Sequence, residues 1–275
     1  RGRSAADLAH ALAHLVGPEA IQNGEIYSAA NDREQAAIVF KVAAQIVRAD
    51  PELEAMLKIV DSTKTIVCYG NGSVYRAISA EAGTKHGLNP SVVIYDELAQ
   101  ARNRALYDVL DTAMGAREEP LFITISTQSN DPQHILSQLI DDGQRADDPT
   151  TVTHLYAVPD EVDDIFDEAE WVKANPALGD FRSLEDMRAQ ASRAARMPSF
   201  EAAFRNLYLN QRVDAQSPLI ARSEWMACRS DDARLRPGEG IYAGLDLSAT
   251  TDLSALVTVS EEDGDRAQAW FWKPG

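Results

Sequence analysis

Two apolar runs dominate the hydrophobic pattern of the chain, residues 92–97 (VVIYDE) and residues 121–128 (LFITISTQ). In the first run, four apolar or β-branched residues lead directly into Asp96 and Glu97. Runs without polar interruption are typical of strands that are buried on both faces of a sheet. The pattern therefore predicts a central strand with two carboxylates at its carboxyl end, and a second buried strand that ends in hydroxyl and amide side chains.

Apolar residues at spacings of three and four indicate the helices, which we predict at residues 1–16, 33–47, 98–114 and 183–212. Short apolar runs indicate further strands, which we predict at residues 25–29, 65–69, 74–78 and 153–158. Asn71 and Gly72 lie between two of these runs and predict a hairpin turn. Strands that alternate with helices are what a parallel sheet requires, so the predicted fold class is α/β.

The carboxyl-terminal segment follows another pattern, because its strands succeed one another without helices. We predict these strands at residues 241–247, 253–260 and 267–272. Short turns between them indicate an antiparallel meander. An acidic side chain on the first strand, Asp246, is the candidate functional residue of this segment.

The composition limits the classes of protein that the chain can represent. Of the 275 residues, 45% are hydrophobic, which is enough for one large domain or two smaller ones. The net charge of −17, from 26 basic and 43 acidic residues, excludes a surface that is basic throughout, so any contact with nucleic acid must be local. Cys68 and Cys228 are far apart and have no further ligands at zinc-site spacing, which favours a reducing, cytosolic setting. No apolar run approaches the roughly 18 residues that span a bilayer, and no signal peptide opens the chain.

The acidic pair Asp96–Glu97 has two interpretations. In P-loop nucleotide hydrolases, the first acid of such a pair holds Mg²⁺, and the second orients and deprotonates the attacking water. Alternatively, both acids cap the helix that follows, because acids favour helix amino termini. Thr127 likewise either senses a γ-phosphate or belongs to a cluster that satisfies a polar loop.

The tripeptide Gly2-Arg3-Ser4 stands at the start of the first predicted helix. In a P-loop, the residues Gly-Lys-Ser/Thr occupy the same place, at the start of a helix whose backbone amides bind phosphates. Arg3 stands where a lysine is expected, and its planar guanidinium is not equivalent to a compact ammonium group. The alternative is an ordinary helix start. A P-loop would require a strand and an earlier glycine, which we expect upstream of Arg1.

The helical segment 183–212 begins at Ser183 with acids in its first turn, which is a helix-start signal. Its basic residues are Arg188, Arg193, Arg196, Arg205 and Arg212. They indicate either contact with a DNA backbone or a helix face that pairs with the acidic run 160–170.

The following segments carry a family resemblance: 27–36 (YSAANDREQA), 75–97 (YRAISAEAGTKHGLNPSVVIYDE), 123–129 (ITISTQS), 170–179 (EWVKANPALG), 204–211 (FRNLYLNQ) and 244–257 (GLDLSATTDLSALV). In this order they resemble the large terminase subunit of tailed double-stranded DNA phages, in the branch with HK97-like capsids. That family joins an additional-strand P-loop (RecA-like) ATPase, which pumps DNA into the procapsid, to an RNase H-like nuclease. The resemblance implies an ATPase domain at residues 1–158, an acidic boundary and helical linker at 159–237, and the first strands of the nuclease domain at 238–275.

The resemblance also implies the roles of single residues. These are ATP binding by Gly2, Arg3 and Ser4, a metal-binding Asp96 and a catalytic Glu97, coupling through Ser126 and Thr127, and a catalytic, metal-binding Asp246. A cation that acts on the neighbouring subunit is also implied, at Lys85 or, as the alternative, at Arg76. The implied cofactors are ATP with Mg²⁺ for the ATPase, and Mg²⁺ or Mn²⁺ for the nuclease. One carboxylate cannot hold a two-metal centre, so we expect the other nuclease ligands beyond Gly275.

The resemblance implies partners as well. They are double-stranded DNA, a portal protein, a small terminase subunit and further copies of the chain in a homo-oligomeric ring, with no membrane. The implied location is the host-cell cytoplasm, outside the mature virion. Two alternatives remain on the sequence alone: a catalytically inactive, terminase-derived DNA-binding or scaffold module, which Arg3 favours, and another P-loop nucleic-acid translocase, which the segment 244–257 disfavours.

Overall fold

The computed structural model describes residues 3–80, 87–146, 148–162, 164–213, 227–230, 234–247, 254–261 and 266–272, with the backbone alone for residues 3–8. The chain divides into two compact units, Arg1–Ser217 and Pro218–Gly275. Each unit contains its own sheet.

In the described part of the first unit the strands are β1 (Glu25–Ala30), β2 (Leu57–Val60), β3 (Thr65–Cys68), β4 (Val74–Ser79), β5 (Val92–Asp96) and β6 (Leu121–Ile125). The α-helices there are α1 (Arg3–Val16), α2 (Arg33–Ala49), α3 (Pro51–Met56), α4 (Ala105–Ala113), α5 (Ile135–Arg145), α6 (Glu168–Ala174), α7 (Leu184–Arg196) and α8 (Pro198–Leu207). The sheet order is β2-β3-β4-β1-β5-β6, in which β4, β1, β5 and β6 run parallel and the β3–β4 and β2–β3 pairs are antiparallel. The predicted α/β class and the β3–β4 hairpin are confirmed.

Strand β5 is buried on both faces, as its uninterrupted apolar run predicts. Val92 and Ile94 pack into one core with α1 and α2, whereas Val93 and Tyr95 pack into a second core with α4 and α5. All four side chains are at most 2% exposed. Burial of an aliphatic side chain of this size contributes roughly 1.5–3 kcal/mol of transfer free energy. The carboxyl end of β5 is therefore anchored by a well-packed strand.

Helices α6, α7 and α8 surround a third core. Its buried side chains include Ile165, Trp171, Met187 and Phe204. The indole Nε1 of Trp171 donates a hydrogen bond to the carbonyl of Ile165 at 2.9 Å. Ser183 caps α7 by accepting from the N–H of Asp186 at 3.2 Å, as its sequence signal predicts. We call helices α6–α8, with the segments that connect them, the helical layer.

The prediction of one continuous helix at 98–114 is wrong, because the helix is interrupted after residue 100. A 3₁₀ turn at Leu98–Gln100 comes first, and α4 starts only at Ala105. The side chain of Asn103 accepts from the N–H of Ala105 at 3.0 Å, which satisfies a backbone donor at this new helix start.

The predicted strand at 153–158 is also wrong, because this segment belongs to no ladder among the described residues. Its backbone groups bond to the chain after α8 instead. The N–H of Val158 donates to the carbonyl of Leu209 at 3.0 Å, and the carbonyl of Tyr156 accepts from Asn210 Nδ2 at 2.9 Å. Tertiary pairing has therefore overridden the local strand propensity.

In the described part of the second unit, strands β7 (Ile241–Asp246), β8 (Ser254–Ser260) and β9 (Ala267–Trp272) form an antiparallel sheet in sequence order. The predicted meander is confirmed. Asp246 is the last residue of β7 and lies opposite Ala255 of β8.

Across the portion of the chain described by the structure, none of the helices has the length and apolar character that crossing a bilayer requires.

Candidate functional site

Three polar segments meet at one edge of the first sheet, because β1, β5 and β6 run parallel and end there. Asn31 follows β1, Asp96 and Glu97 close and follow β5, and Ser126 follows β6. In parallel α/β sheets, ligands bind outside the carboxyl ends of the strands. We call this group the carboxyl-edge site.

Glu97 has a left-handed backbone, with φ 53° and ψ 46°. A residue other than glycine in this region costs on the order of 1–3 kcal/mol and persists only where its surroundings determine it. Here the N–H of Glu97 donates to the carbonyl of Ile125 at 2.8 Å, and its carbonyl accepts from Asn31 Nδ2 at 2.8 Å. Both neighbouring strands therefore hold Glu97 in place.

Tyr95 supports Asn31 from inside the sheet. Its hydroxyl donates to Asn31 Oδ1 at 3.4 Å, which leaves the Asn31 amide nitrogen for the Glu97 carbonyl. Burial raises the pKa of Tyr95 to about 12, so the hydroxyl keeps its proton at neutral pH. The sequence analysis did not single out Asn31 as a site residue; only its position after the strand next to β5 could have indicated a role at this site.

Ser126 joins the end of β6 to the segment after Glu97. Its hydroxyl accepts from the N–H of Ala99 at 3.0 Å, inside the 3₁₀ turn. Thr127 is half-buried beside it and lines an open cleft of about 1300 Å³ that borders β6. The structure thus brings Ser126 close to the acidic pair, because Ala99 lies only two positions after Glu97.

The oxygen atoms at the carboxyl-edge site suit a hard divalent cation. Asp96 is half-buried, and its Oδ1 is shielded from solvent. Carboxylate and hydroxyl oxygens are the ligands that Mg²⁺ prefers, and it usually binds through one or two carboxylates together with substrate phosphates. Asp96 and the hydroxyl groups after β6 therefore fit a magnesium–phosphate ligand by their chemistry.

Helix α1 runs from the carboxyl edge of the sheet toward the amino edge. Asn71, in the loop that enters β4, donates through Nδ2 to the carbonyl of Leu15 near the end of α1 at 3.0 Å. The first turn of α1 therefore points toward the opposite, carboxyl edge. Gly2 lies outside the described residues, and Arg3 and Ser4 begin the helix with only their backbone described.

The two candidate trans-acting cations differ in what can be said of them. Lys85 lies outside the described residues. Arg76 lies on β4, and its Nη1 donates to the hydroxyl of Tyr27 at 3.4 Å, which in turn donates to Glu25 at 2.5 Å. Burial, followed by the hydrogen bond and charge of Glu25, raises the pKa of Tyr27 to about 12. The Arg76 side chain is exposed, and the residue lies three positions before the end of β4 at Ser79.

Asp246 is exposed at the end of β7. Among the described residues, no group of three or more His, Cys, Asp or Glu side chains is arranged to hold a metal ion. Asp246 is therefore not part of a ready-made ligand cluster in the described part of the second unit, and the expectation of further ligands stays a prediction.

The arginines of the helical layer divide into two sets. Arg188 pairs with Glu168 of the acidic run at 2.6 Å, and Arg205 is buried in a pair with Glu201 at 2.9 Å. Arg193 and Arg196 are exposed, on one face of α7. Pairing with the acidic run is therefore observed for Arg188, whereas contact of Arg193 and Arg196 with DNA stays a prediction.

Comparison with known proteins shows two family matches along the chain. The model for the terminase large subunit, ATPase domain, matches residues 1–144, and the model for the terminase large subunit, endonuclease domain, matches residues 147–270. The terminase large subunit of Enterobacteria phage HK97 is 47% identical over 267 residues, which are 96% of this chain and 52% of the relative. The chain thus spans about half the length of that relative.

Solved structures agree with these matches. The crystal structure of the HK97 bacteriophage large terminase is 46% identical and superposes with a TM-score of 0.74, covering 100% of this chain and 57% of that one. The ATPase domain of the large terminase of Thermus phage P74-26 is 17% identical, with a TM-score of 0.53 over 77% of this chain and 84% of that chain, which shows a shared fold. The chain belongs to the terminase large-subunit family, with an additional-strand P-loop (RecA-like) ATPase fold in its first part.

Proposed function

We propose that this chain is the ATP-hydrolysing motor part of a tailed-phage DNA-packaging terminase, together with the opening strands of its metal-dependent endonuclease. The observation that carries the proposal is the geometry of Glu97. A carboxylate residue sits in a left-handed turn at the end of a doubly buried strand, and neighbours on both sides hold it there. Strained backbone of this kind concentrates at active sites.

Each residue of the carboxyl-edge site has a role in this proposal. Asp96 holds Mg²⁺, and Glu97 orients the attacking water and accepts its proton. Asn31 and Tyr95 keep the Glu97 turn in place. Bound Mg-ATP supplies the γ-phosphoryl group and the cation that neutralises its oxygens. Ser126 and Thr127 respond to the state of that phosphate.

Phosphate binding belongs to the first turn of α1. Gly2, Arg3 and Ser4 would present backbone N–H groups, a guanidinium and a hydroxyl to the phosphates. The direction of α1 and the open cleft beside β6 support this placement, because a phosphate loop on a further parallel strand would lie next to Ser126 and Thr127. Since Arg76 is engaged by Tyr27, we assign the trans-acting cation to Lys85.

The second unit contributes to DNA cutting in this proposal. Asp246 is the first metal-binding carboxylate of a nuclease centre that uses Mg²⁺ or Mn²⁺ to activate water. We place the ATPase domain at residues 1–158, the linker at 159–237 and the start of the nuclease domain at 238–275. The core of the helical layer from Val158 onward and the start of β7 at Ile241 support these boundaries.

A role in DNA packaging implies the binding partners of this chain. Double-stranded DNA is the substrate that moves, and the exposed Arg193 and Arg196 are suited to its phosphates without regard to sequence. We further propose a homo-oligomeric ring that assembles with a portal protein and a small terminase subunit in the host-cell cytoplasm, outside the mature virion.

One observation favours a second candidate, a terminase-derived module that binds DNA without hydrolysing ATP. Arg3 replaces the lysine that contacts the β- and γ-phosphates in P-loop enzymes. The experiment that separates the two measures both ATP binding and ATP turnover by the full-length protein with double-stranded DNA. Turnover that is lost in Glu97→Gln supports the motor, whereas DNA binding without any turnover in the wild type supports the inactive module.

A further inference from the structure

All polar groups of Gln128 form hydrogen bonds with the end of α8 or with the residues that follow it. Its N–H donates to Asn210 Oδ1 at 2.7 Å, and its carbonyl accepts from Asn206 Nδ2 at 3.0 Å. Its side-chain oxygen accepts from Arg212 Nε at 2.8 Å, and its side-chain nitrogen donates to the carbonyl of Asn210. Gln128 is 7% exposed, so broken bonds would leave buried polar groups that water cannot readily satisfy.

On its other side, Gln128 is two residues from the carboxyl-edge site. Ser126 holds the N–H of Ala99, which is itself two residues after Glu97. A displacement of the Glu97 turn therefore passes to Ser126 through one hydrogen bond. From there it passes to Gln128 through two peptide units of limited flexibility.

The residues that hold Gln128 are themselves fixed to other elements. Asn210 has a left-handed backbone, φ 53°, and its Nδ2 donates to the carbonyl of Tyr156 at 2.9 Å. Arg212 forms an ion pair with Asp141 of α5 at 2.7 Å. A movement of Gln128 thus reaches the helical layer at the end of α8, through Asn206, and reaches the segment that follows α8 through Asn210 and Arg212.

We infer that Gln128 is a positioning residue, which couples the state of the Glu97 site to the helical layer; this rests on the proposed function. A shift of the segment 126–128 must either carry Asn206, Asn210 and Arg212 with it or break up to four directional bonds at a buried position. Because protein interiors are tightly packed, such a shift moves whole elements between discrete arrangements. The layer that moves includes α7, which packs against α8 and carries the exposed Arg193 and Arg196.

The test uses the full-length protein and two measurements. The first is ATP turnover with and without double-stranded DNA, and the second is amide hydrogen exchange with and without Mg-ATP. In the wild type, we expect nucleotide to slow exchange both at residues 97–101 and at residues 204–212. In Gln128→Ala, which removes the side-chain bonds to Arg212 and Asn210, the change at 97–101 remains and the change at 204–212 becomes clearly smaller than in the wild type. Turnover without DNA stays within about threefold, and stimulation by DNA falls about tenfold, a typical size for coupling between sites.

Two further variants separate coupling from general damage. Asn210→Gly removes the side chain that accepts from the N–H of Gln128 and tolerates the left-handed backbone, so it should also weaken the response at 204–212. Gln190→Ala changes a half-buried glutamine on α7, whose Nε2 donates to Asp186 at 3.3 Å, and should match the wild type in both measurements. A change at 204–212 in Gln128→Ala that is as large as in the wild type contradicts the inference.

The same measurements distinguish this inference from the proposed function. A wild type that responds at 97–101 but not at 204–212 contradicts the inference alone. A wild type that shows no turnover and no response at 97–101 contradicts the proposed function and the inference with it.

Discussion

The side-chain amide of Asn31 donates to the main-chain carbonyl of Glu97 at 2.8 Å, and this bond joins the ends of two adjacent parallel strands. The two residues are 66 positions apart in the sequence. Their contact explains how a glutamate persists in a backbone conformation that favours glycine.

Removal of this bond should impair both catalysis and stability. In Asn31→Ala the carbonyl of Glu97 loses its donor, at a cost of about 1–3 kcal/mol, and the turn relaxes. We expect kcat for ATP to fall about ten- to hundredfold, since each 1.4 kcal/mol of barrier is about a factor of ten. Steady-state ATP turnover and thermal unfolding of the full-length protein measure the two effects. Asn103→Ala, which changes an exposed asparagine at the start of α4, is the control and should retain the wild-type rate.

Glycine at position 97 should separate stability from activity. Glu97→Gly relieves the left-handed strain, and we expect the free energy of unfolding to rise by about 1 kcal/mol while ATP turnover is lost. Urea denaturation measures the stability. Glu185→Gly, in the helical backbone of α7, should instead lower the free energy of unfolding by about 1 kcal/mol. A loss in Glu97→Gly as large as in this control would show that position 97 is not strained.

The sequence predicts the centre of this fold better than its periphery. The run that forms β5 has no polar interruption and leads into two acids, so its burial and its site could both be predicted. Helix α5 was not predicted, and its sequence ILSQLIDDGQR contains Gly143 and many polar residues. The contacts of Asn31 and Gln128 depend on strand order and on tertiary packing, which a local pattern does not contain.

The buried ion pair of the helical layer should be costly to break. Arg205 and Glu201 are 5% and 7% exposed, and Arg205 also donates to Gln211 at 3.1 Å. Glu201→Ala leaves a buried guanidinium without its carboxylate, and we expect the free energy of unfolding to fall by about 3–5 kcal/mol. The double variant Glu201→Met with Arg205→Leu should recover most of this loss.

An exposed ion pair provides the comparison for this prediction. Glu168 pairs with Arg188 at the surface, and the hydrogen bond from Arg188 lowers the pKa of Glu168. Glu168→Ala should leave the free energy of unfolding nearly unchanged, because solvent screens the pair. Equal losses in Glu168→Ala and Glu201→Ala, measured by urea denaturation, would contradict the account of the buried pair.

The nuclease assignment predicts a specific loss of DNA cleavage. In the full-length protein, Asp246→Asn removes a metal-binding charge, so cleavage of double-stranded DNA with Mg²⁺ or Mn²⁺ should fall at least about a hundredfold while ATP turnover stays. Gel assays of plasmid cleavage measure the effect. Glu261→Gln, an exposed acid after β8, should cleave like the wild type. Cleavage that persists in Asp246→Asn rules out this residue as a ligand.

The central claim, that Glu97 activates the water for ATP hydrolysis, is tested most directly by ATP turnover of the full-length Glu97→Gln protein. This change keeps the shape of the side chain and removes its ability to accept a proton. We predict that kcat falls about 10²–10⁴-fold, the range for loss of a general base, while Mg-ATP still binds. Glu119→Gln, an exposed acid between α4 and β6, should keep the wild-type rate. A Glu97→Gln protein that hydrolyses ATP at the wild-type rate would contradict the account.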